Sequence, residues 1–593
     1  MPGVIGGTVG SRSLTAMADA MDREPWYATE CLAAANCRLA LVHHAERDPE
    51  GRTTWHGGDA MGVVHGVVSN REALGFSTPE FFRRVLDDPD GVLPALSGPF
   101  LLAAADRDRI VVATDKLGTR PCYYSTVHGF LFGSELAAVL TQLTRPRLDE
   151  RAVGDLLALG HVAGEKTLVS DVRTLRPATY LRYETGNAEI RRYWSPDFGV
   201  APAEGYVDET VDQYRRVLGN VAATTTGPTG VWLSGDLDDR TLAAALDDEL
   251  ADVQTFTYDL AATERDRSSG EQVADALSLP SRRCDYSADE FVAAVERGVD
   301  VTDGMVSWSA FADFPAMLRD VSGRADVLVP ASGQDQFFGE ILSSSCLQRE
   351  SPVDALVAAT ATQSPEAVSE LVTPDVSPRR TLARAVERSD AVRPAHRTIA
   401  AFWRLSADSQ LRTNRLARSQ VGTRVPFADG EFLDHVARMP IERYRLGSVP
   451  FTRGTVPYGV APLRLQVARR VADDAASVPC ERTNVAPRFP LSFHAASTAV
   501  DALRDRTSPP DTCPMGRWYR RHAGVRQFVD GLLDDACDRD LFDDAAVRDR
   551  QEAHLSGDDD ALESLAAITT VELWCQRIFD AARSSTGRRI AAP

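Results

Sequence analysis

Apolar residues follow two different patterns along the chain. In the first third, short apolar runs flank tight turns: Phe100–Ala105 and Arg109–Thr114 enclose an Asp-Arg-Asp turn, and Tyr123–Ser125 and Phe130–Gly133 enclose a second turn. Paired runs of this kind predict β-hairpins. Residues 1–195 are therefore expected to form a strand-rich domain.

The pattern changes from Tyr206 onwards, after a proline-containing linker predicted at 195–204. Strands and helices are now predicted to alternate, with strands at residues 229–233, 253–258, 281–285 and 325–330. This alternation favours a doubly wound parallel sheet, whose ligand is expected at the carboxyl ends of the strands. From about residue 380 the chain is predicted to be mostly helical.

Three domains are expected from these patterns and from the length of 593 residues. They are residues 1–195, residues 206–500 and an acidic helical C-terminal extension at 501–593. Within the extension, Asp558–Asp560 is interpreted as a solvated face.

Charge and composition argue against several classes of function. The formal net charge of −20 disfavours nucleic-acid binding, because the phosphate backbone requires a basic surface. No run reaches the roughly 18–20 apolar residues that a membrane span needs. The start of the chain lacks the pattern of an export signal. Because the nine cysteines occur singly, without a Cys-x-x-Cys pair, we expect a reduced, cytoplasmic protein. From the charge and the lack of a long apolar run, we expect neither a nucleic-acid nor a membrane partner.

Nearly all basic residues are arginines, since Lys116 and Lys166 are the two lysines of the chain. An acidic surface with so few lysines resembles adaptation to a salt-rich cytoplasm, as in a halophilic archaeon. A GC-rich genome that favours arginine codons is the alternative explanation.

The strongest chemical signal lies where the first predicted parallel strand ends. A Ser-Gly turn joins this strand to a helix predicted from about Asp239, and such a turn aims backbone N–H groups and the positive helix end at one point, which suits phosphate. Yet aspartates crowd the turn, and a carboxylate about 4 Å from a phosphate oxygen costs on the order of 4 kcal/mol at an effective dielectric of 20. The loop residues are Leu233, Ser234, Gly235, Asp236, Leu237, Asp238 and Asp239.

Several motifs carry a resemblance to a known family. Ser234–Asp239 resembles the Ser-Gly-Gly-x-Asp-Ser pyrophosphate loop of the ATP-pyrophosphatases. Val327–Gly339 is similar to the second motif of one group of these enzymes, the glutamine-hydrolysing asparagine synthetases, and Arg424–Asp429 is similar to their Arg-Val-Pro-Phe-Leu-Asp segment. In the N-terminal part, Lys116–Tyr124 resembles their Arg-Leu-Gly-Ile-Lys-Pro-Leu-Tyr-Tyr segment. The resemblance runs in the same order through about residues 1–500.

The resemblance implies a fold and a reaction. The N-terminal domain would be a class II glutamine amidotransferase, built as a four-layer αββα sandwich of the N-terminal-nucleophile type. The second domain would be an ATP-pyrophosphatase-like domain with a doubly wound parallel sheet. The family amidates aspartate with ATP, magnesium and ammonia released from glutamine. ATP and magnesium are therefore the cofactors that the resemblance implies.

The positions that carry glutamine chemistry in the family differ in this chain. Pro2 stands where the family has its nucleophilic cysteine, and proline has no side-chain nucleophile. The family's Asn-Gly-Glu reads His65-Gly66-Val67, which loses an oxyanion-hole amide and a carboxylate. Arg38, which would hold the glutamine carboxylate, and Gly66 remain. We expect no glutamine hydrolysis.

The synthetase positions differ as well. Asp236 replaces a glycine, which would cost ~1–2 kcal/mol if the position is left-handed, and Asp239 replaces a hydroxyl residue. Asp238 and Asp335 lie where the family would hold magnesium. Asn484 stands where a lysine meets the phosphates, and no lysine follows Lys166 in the sequence. The second-motif residues are Gly333, Asp335, Gln336 and Gly339, with Gln336 in place of a glutamate.

Two hypotheses follow from these differences. The first is an asparagine-synthetase-like protein whose glutaminase activity is lost and whose synthetase activity is severely impaired or absent. Such a protein would bind a small metabolite or a protein partner, with a homodimer as the assembly considered. The alternative is an ATP-dependent amide-forming ligase that uses ammonia or a small amine and releases AMP and pyrophosphate.

Overall fold

The computed structural model describes residues 1–127, 129–202, 204–258, 268–339, 342, 344–441, 458–505 and 514–580. Residue 203 of the predicted linker, and residues 506–513 and 581–593 of the predicted extension, lie outside these ranges. Two antiparallel sheets, a parallel sheet and a helical C-terminal region confirm the predicted mixed α/β class.

Within the described residues, the N-terminal region contains two six-stranded antiparallel sheets. Their strands are, in chain order, β1 (Gly3–Gly7), β2 (Ala28–Ala34), β3 (Cys37–His43), β4 (Arg52–Gly57), β5 (Ala60–Gly66), β6 (Phe100–Ala105), β7 (Arg109–Thr114), β8 (Tyr123–Ser125), β9 (Leu131–Gly133), β10 (Arg173–Thr174), β11 (Thr179–Glu184) and β12 (Asn187–Arg192). The first sheet has the order β10-β8-β9-β1-β3-β2, and the second has the order β12-β11-β7-β6-β5-β4. The predicted hairpins β6–β7 and β8–β9 are both confirmed.

The alternating apolar residues of these strands build a four-layer αββα sandwich. Val4 and Leu39 of the first sheet meet Val63 and Leu101 of the second sheet in one shared core. The outer face of the second sheet packs on α2 (Thr78–Asp87) and α3 (Pro89–Val92). The outer face of the first sheet packs on α1 (Ser11–Asp19) and α4 (Leu136–Leu140). Inner strands such as β6 and β7 therefore bury both faces, because successive side chains point to opposite sides of the sheet, whereas the edge strand β12 is exposed.

The second region contains the predicted parallel sheet. Its strands are β13 (Thr229–Trp232), β14 (Val253–Tyr258), β15 (Ser281–Cys284), β16 (Val327–Leu328) and β17 (Gly422–Thr423), in the spatial order β15-β14-β13-β16-β17. The strand order reverses between β13 and β16, so the crevice at their carboxyl ends is the position where such a sheet binds its ligand. The edge strand β17 was not predicted, because Gly422 and Thr423 form no apolar run, whereas the equally short β16 lies within the mostly apolar run at 325–330.

Helices cover the parallel sheet and form the remainder of the described chain. Among the described residues, no helix combines the length and the apolar composition needed to cross a lipid bilayer. The helices are α5 (Glu150–Leu159), α6 (Tyr206–Ala222), α7 (Leu237–Asp247), α8 (Ser269–Ala276), α9 (Phe291–Val301), α10 (Phe314–Val321), α11 (Ser344–Leu347), α12 (Pro352–Thr360), α13 (Pro365–Leu371), α14 (Pro378–Glu387), α15 (Pro394–Ser406), α16 (Gln410–Arg418), α17 (Gly430–Ala437), α18 (Pro462–Val471), α19 (Leu491–Asp505), α20 (Pro514–Arg521), α21 (Ala523–Cys537), α22 (Asp544–Ser556) and α23 (Leu562–Cys575).

The C-terminal extension is helical, as predicted, but its last described α-helix belongs to the core. Helix α23 is buried along its length and packs on α5 and α9. The indole Nε1 of Trp308 donates to Thr569 Oγ1 at 2.8 Å, and Gly304 leaves room for the ring of Trp574. The segment Asp558–Asp560 is exposed, in agreement with its interpretation as a solvated face.

Candidate functional sites

The predicted phosphate loop lies at the carboxyl end of β13, where the strand order of the parallel sheet reverses. Leu233 follows the last residue of the strand, Trp232, and α7 begins at Leu237, two residues earlier than the sequence pattern predicted. A Cβ atom on Gly235 would lie 2.2 Å from the Cβ of Ser269. Glycine is therefore required here by the close approach of α8.

The backbone N–H groups of this loop donate to the chain's own side chains. Ser234 donates its N–H at 2.9 Å and its hydroxyl at 2.6 Å to one carboxylate oxygen of Asp239. Gly235 donates its N–H to a carboxylate oxygen of Glu481 at 3.1 Å, and Asp236 donates its N–H to the Ser234 hydroxyl at 3.2 Å. Carboxylate oxygens thus lie where the loop would present its donors to a phosphate group.

Burial sets the protonation of Asp239. Burial, together with the neighbouring Asp236, raises the pKa of this carboxyl to about 6 against the opposing effect of the hydrogen bonds from Ser234. Asp236 has φ −79° and ψ 168°, which is extended backbone. Because the position is not left-handed, the cost that would apply to an aspartate at a left-handed position does not arise here.

A buried arginine links residues 475–479 to the phosphate loop through hydrogen bonds. Arg240 is fully buried, and its guanidinium donates to backbone carbonyls on both sides: Gly235 within the loop, and Ala475 at 3.0 Å, Val478 at 2.8 Å and Pro479 at 3.0 Å. This segment leads directly into Glu481. Arg240 therefore positions the carboxylate that accepts the Gly235 N–H.

The position predicted to hold magnesium is paired with a cation of the protein itself. Arg464, on α18, donates its Nε to the carboxylate of Asp238, and both side chains are buried. Magnesium prefers oxygen ligands and would meet a guanidinium here. Among the described side chains, no group of three or more His, Cys, Asp or Glu could hold a metal ion. The described residues around Asp238 therefore do not fit magnesium.

The second motif packs beside the loop through its backbone and one glutamine. Gln334 donates to the backbone carbonyl of Asp238 at 3.2 Å, and Gly333 has a φ of +109°, which favours glycine. Gln336 is buried and donates its amide to Gln410. Asp335 and Gly339 begin and end a short turn of π-helix. The side chain of Asp335 lies outside the described part of the chain, so its predicted metal role stays a prediction.

Asn484, the residue at the lysine position, lies close in sequence to Glu481. It is exposed and has a φ of +49°, and its N–H donates to the Cys480 carbonyl at 2.8 Å. Asparagine tolerates this left-handed backbone better than most residues. Its position in a tight turn explains the residue type without a role in phosphate chemistry.

In the N-terminal domain, the retained glutamine-site residues make contacts within the protein. Arg38 donates to the Val9 carbonyl at 2.7 Å. Gly66 has a φ of +101°, and a Cβ atom there would lie 2.1 Å from the Pro99 carbonyl oxygen. His65 Nε2 lies 2.8 Å from a guanidinium nitrogen of Arg120, and burial, together with Arg120, holds the pKa of His65 well below its usual range. His65 is therefore neutral at physiological pH.

The N-terminal strand has no cysteine, and the cysteines elsewhere in this domain are poor nucleophiles. Pro2 is buried directly before β1. Burial raises the pKa of the Cys37 thiol to about 11 and also raises the pKa of the Cys31 and Cys122 thiols. A thiol must ionise before it attacks a carbon atom. The described thiols of this domain are therefore almost entirely protonated at neutral pH.

Sequence reasoning missed the partners that decide the chemistry of the loop. Glu481 lies 246 residues from Gly235, and Arg464 lies 226 residues from Asp238. Arg240 follows the loop directly in the sequence, but the carbonyls of Ala475, Val478 and Pro479 that it contacts lie more than two hundred residues away. The absence of lysine after Lys166 was the signal in the sequence that an arginine would have to pair with the aspartates of the loop.

Comparisons with known proteins agree with the order of these regions. Residues 89–194 match the family model described as a glutamine amidotransferase domain, and residues 220–447 match the model described as asparagine synthase. Related proteins of Mycobacterium bovis and Mycobacterium tuberculosis, provisionally named as glutamine-hydrolysing asparagine synthetases, are 28% identical over 265 residues. This match spans 42% of the chain and 40% of the length of these curated relatives.

Solved structures give a weaker likeness. The allosteric regulatory enzyme of purine biosynthesis is 13% identical, with a TM-score of 0.25, over 61% of this chain and 79% of that chain. Glutamine phosphoribosylpyrophosphate amidotransferase from B. subtilis, solved with ADP and GMP, is 12% identical, with a TM-score of 0.23, over 61% and 80% of the two chains. Likeness at this level carries no weight for function.

Proposed function

Because the chain belongs to the asparagine synthetase family, we propose that it retains the family's two-domain scaffold without the family's reaction. In this proposal it neither hydrolyses glutamine nor activates a carboxylate with ATP. The scaffold would instead serve to bind a small metabolite or a protein partner.

The observation that carries the proposal is the occupation of the phosphate loop by Asp239 and Glu481. A phosphate-binding loop works because its N–H groups are free to point at an anion. Here Ser234 and Gly235 already donate to carboxylates. A triphosphate could bind these N–H groups only by displacing both carboxylates. The displaced carboxylates would remain near the loop, and their negative charge would repel the phosphates. The charge of the half-buried Asp239 weakens binding roughly a thousandfold, taking on the order of 4 kcal/mol. Glu481 is exposed, so solvent screens its charge and its effect is smaller.

The ion pair between Asp238 and Arg464 supports the same conclusion. A magnesium ion brought in with ATP would compete with a buried guanidinium that already neutralises Asp238. Separating a buried ion pair leaves an uncompensated charge, which is strongly unfavourable. In this proposal, Asp239 and Glu481 prevent the nucleotide from binding to the loop, and Arg464 prevents its magnesium ion from binding to Asp238.

Calorimetric titration of the full chain with ATP and magnesium tests this proposal. We expect no saturable binding up to about 5 mM ATP, which corresponds to a binding free energy weaker than about 3 kcal/mol. The titration is run at low and at high potassium chloride, because salt screens exposed charges far more than buried ones. Micromolar binding in either buffer, followed by release of AMP in the presence of a carboxylate, would contradict the proposal.

The glutaminase half is tested with a diazoketone analogue of glutamine, which alkylates an active-site thiolate. We expect no adduct on the N-terminal domain, because the described cysteines there have raised pKa values and Pro2 offers no thiol. Intact-mass spectrometry measures the result, and a small cysteine-containing peptide in the same tube controls for reagent activity. A stoichiometric adduct would show that a nucleophile remains.

The retained backbone of the loop favours the second candidate, an amide-forming ligase that uses ammonia or a small amine. The strand, the Ser-Gly turn and the helix have the arrangement typical of phosphate binding. This candidate requires Asp239 and Glu481 to move away when ATP binds. The same titration separates the two candidates, since a ligase must bind ATP to form an acyl-adenylate.

A further inference from the structure

A cationic cleft lies where the N-terminal sheets meet helices α14 and α15, away from the phosphate loop. Its volume is about 940 Å³. The edge strands β10 and β12 contribute Arg173 and Arg192 to one wall, and the helices contribute Arg384 and Arg404 to the other. Clefts of a few hundred to about 1,000 Å³ at domain junctions are the usual sites of small-molecule ligands.

The charge of the cleft is opposite to that of the protein. Of the described side chains that line it, eight are basic and four are acidic, on a chain with a formal net charge of −20. A local excess of one sign, set against the overall charge, concentrates ligands of the opposite sign. The cleft therefore attracts anions although the protein as a whole repels them.

Part of this positive charge is already neutralised by carboxylates. Lys166 contacts Asp155 at 2.7 Å, and Arg388 contacts Glu165 at 2.5 Å. Arg176 likewise pairs with Asp408 at 2.9 Å. These ion pairs hold the walls of the cleft in place. Because their lysine and arginines are already paired with carboxylates, they contribute little to the binding of an anionic ligand.

Two arginines of the cleft have charge to offer. The Nη1 of Arg404 is buried and has no hydrogen-bond partner among the described residues. Burial, together with the nearby Arg192, lowers the pKa of Arg404 to about 10, against the opposing effect of Asp390. Arg384 is exposed and makes no ion pair within the part of the chain that the structure describes. The buried Nη1 of Arg404 is costly without a partner, whereas water hydrates the exposed Arg384 and leaves its charge available to a ligand.

We propose that this cleft binds a small organic phosphate between Arg384 and Arg404. Guanidinium groups match phosphate oxygens with paired N–H donors, which favours phosphate where arginines converge. Ile190 and Leu405 provide apolar surface for the organic part of the ligand. The limited volume favours one small molecule over a macromolecular partner. This site is separate from the proposed loss of the family reaction and does not depend on it.

Calorimetry with fructose 1,6-bisphosphate and with inorganic pyrophosphate tests the site. Neither probe carries a nucleobase, and a variant that changes the cleft but leaves the phosphate loop intact separates binding in the cleft from binding of pyrophosphate at that loop. We expect saturable binding of at least one probe to the full chain, weakened at least tenfold in the variant Arg384→Ala with Arg404→Gln. Raising the potassium chloride concentration should weaken it further, because the contacts are ionic.

The control variant is Arg83→Ala with Arg107→Ala, which removes the same charge at exposed positions on the other side of the domain. It should bind the probes as the unmodified protein does. Equal weakening in both variants would mean that net charge alone attracts the probes. That result, or the absence of saturable binding of either probe up to about 5 mM, would overturn the proposal.

Thermal unfolding gives a second readout that does not depend on the choice of probe. Because Arg404 is desolvated and unpaired, Arg404→Gln should leave the unfolding midpoint unchanged or raise it. A purely structural arginine would lower the midpoint when replaced. A lowered midpoint for Arg404→Gln would therefore contradict the assignment of this residue to a ligand.

Discussion

Replacing Arg424 by alanine is expected to destabilise the protein more than any exposed arginine replacement. Arg424 is buried and forms a bidentate ion pair with Asp48, in which Nη2 lies 2.7 Å from Oδ1 and Nη1 lies 3.2 Å from Oδ2. Its guanidinium also donates to the Thr224 carbonyl. Breaking such a pair leaves a buried charge uncompensated and costs about 3–5 kcal/mol. The midpoint of thermal unfolding should fall by about 6–12 °C for a cooperative unit of roughly 200 residues.

The Asp48 carboxylate is tightly packed, and its pKa depends on Arg424. Cβ atoms on Gly51 and Gly422 would lie 2.0 and 2.4 Å from its carboxylate, so both positions must be glycine. Burial alone would raise the pKa of Asp48, but Arg424 outweighs it and holds the pKa below its ordinary value. The stability from this pair is therefore present above the ordinary pKa of aspartate and is lost as the pH falls through the lowered value.

Two controls isolate the effect of Arg424. Arg84→Ala removes an exposed pair with Glu80 on one helix and should cost about 0.5 kcal/mol or less. The double replacement Arg424→Met with Asp48→Leu removes both charges and should recover much of the lost stability. Scanning calorimetry of the variants measures these midpoints. A fall no larger than that of Arg84→Ala would contradict the buried-pair account.

Opening the phosphate loop is expected to create nucleotide binding. In the variant Asp239→Ser with Glu481→Gln, the N–H groups of Ser234 and Gly235 lose their charged acceptors. The Arg464 guanidinium remains beside the loop as a cation. Since the half-buried Asp239 weakens phosphate binding roughly a thousandfold and the exposed Glu481 weakens it less, the variant should bind ATP in the micromolar to low millimolar range. The unmodified chain should not bind it.

A matched variant at the far end of the same helix controls for charge. Asp248→Ser with Glu249→Gln changes the net charge by the same amount at exposed positions just after α7. Calorimetry with ATP should show binding for the opened loop and none for this control. If the opened-loop variant folds and still fails to bind ATP, the two carboxylates are not what excludes the nucleotide.

Much of the fold follows from local sequence patterns. The hairpins at 100–114 and 123–133 were predicted because alternation along a strand and a short turn are local features. The other four strands of the parallel sheet lie within segments predicted as strands, and the two-residue β16 lies within the mostly apolar run at 325–330. The strand β17 and the burial of α23 were not predicted. The two residues of β17, Gly422 and Thr423, form no apolar run, and the burial of a helix depends on the elements that pack around it.

The sequence by itself determined the class of the fold, the order of the two regions and the place of the phosphate loop. It also placed Asp236, Asp238 and Asp239 at that loop. Only the tertiary structure decided what these residues contact: Asp239 accepts from Ser234, Glu481 accepts from Gly235, and Arg464 pairs with Asp238. Two of these partners lie more than two hundred residues away, so no local spacing relates them. Burial, which sets the pKa of Asp239, is likewise a property of the folded chain and not of its sequence pattern.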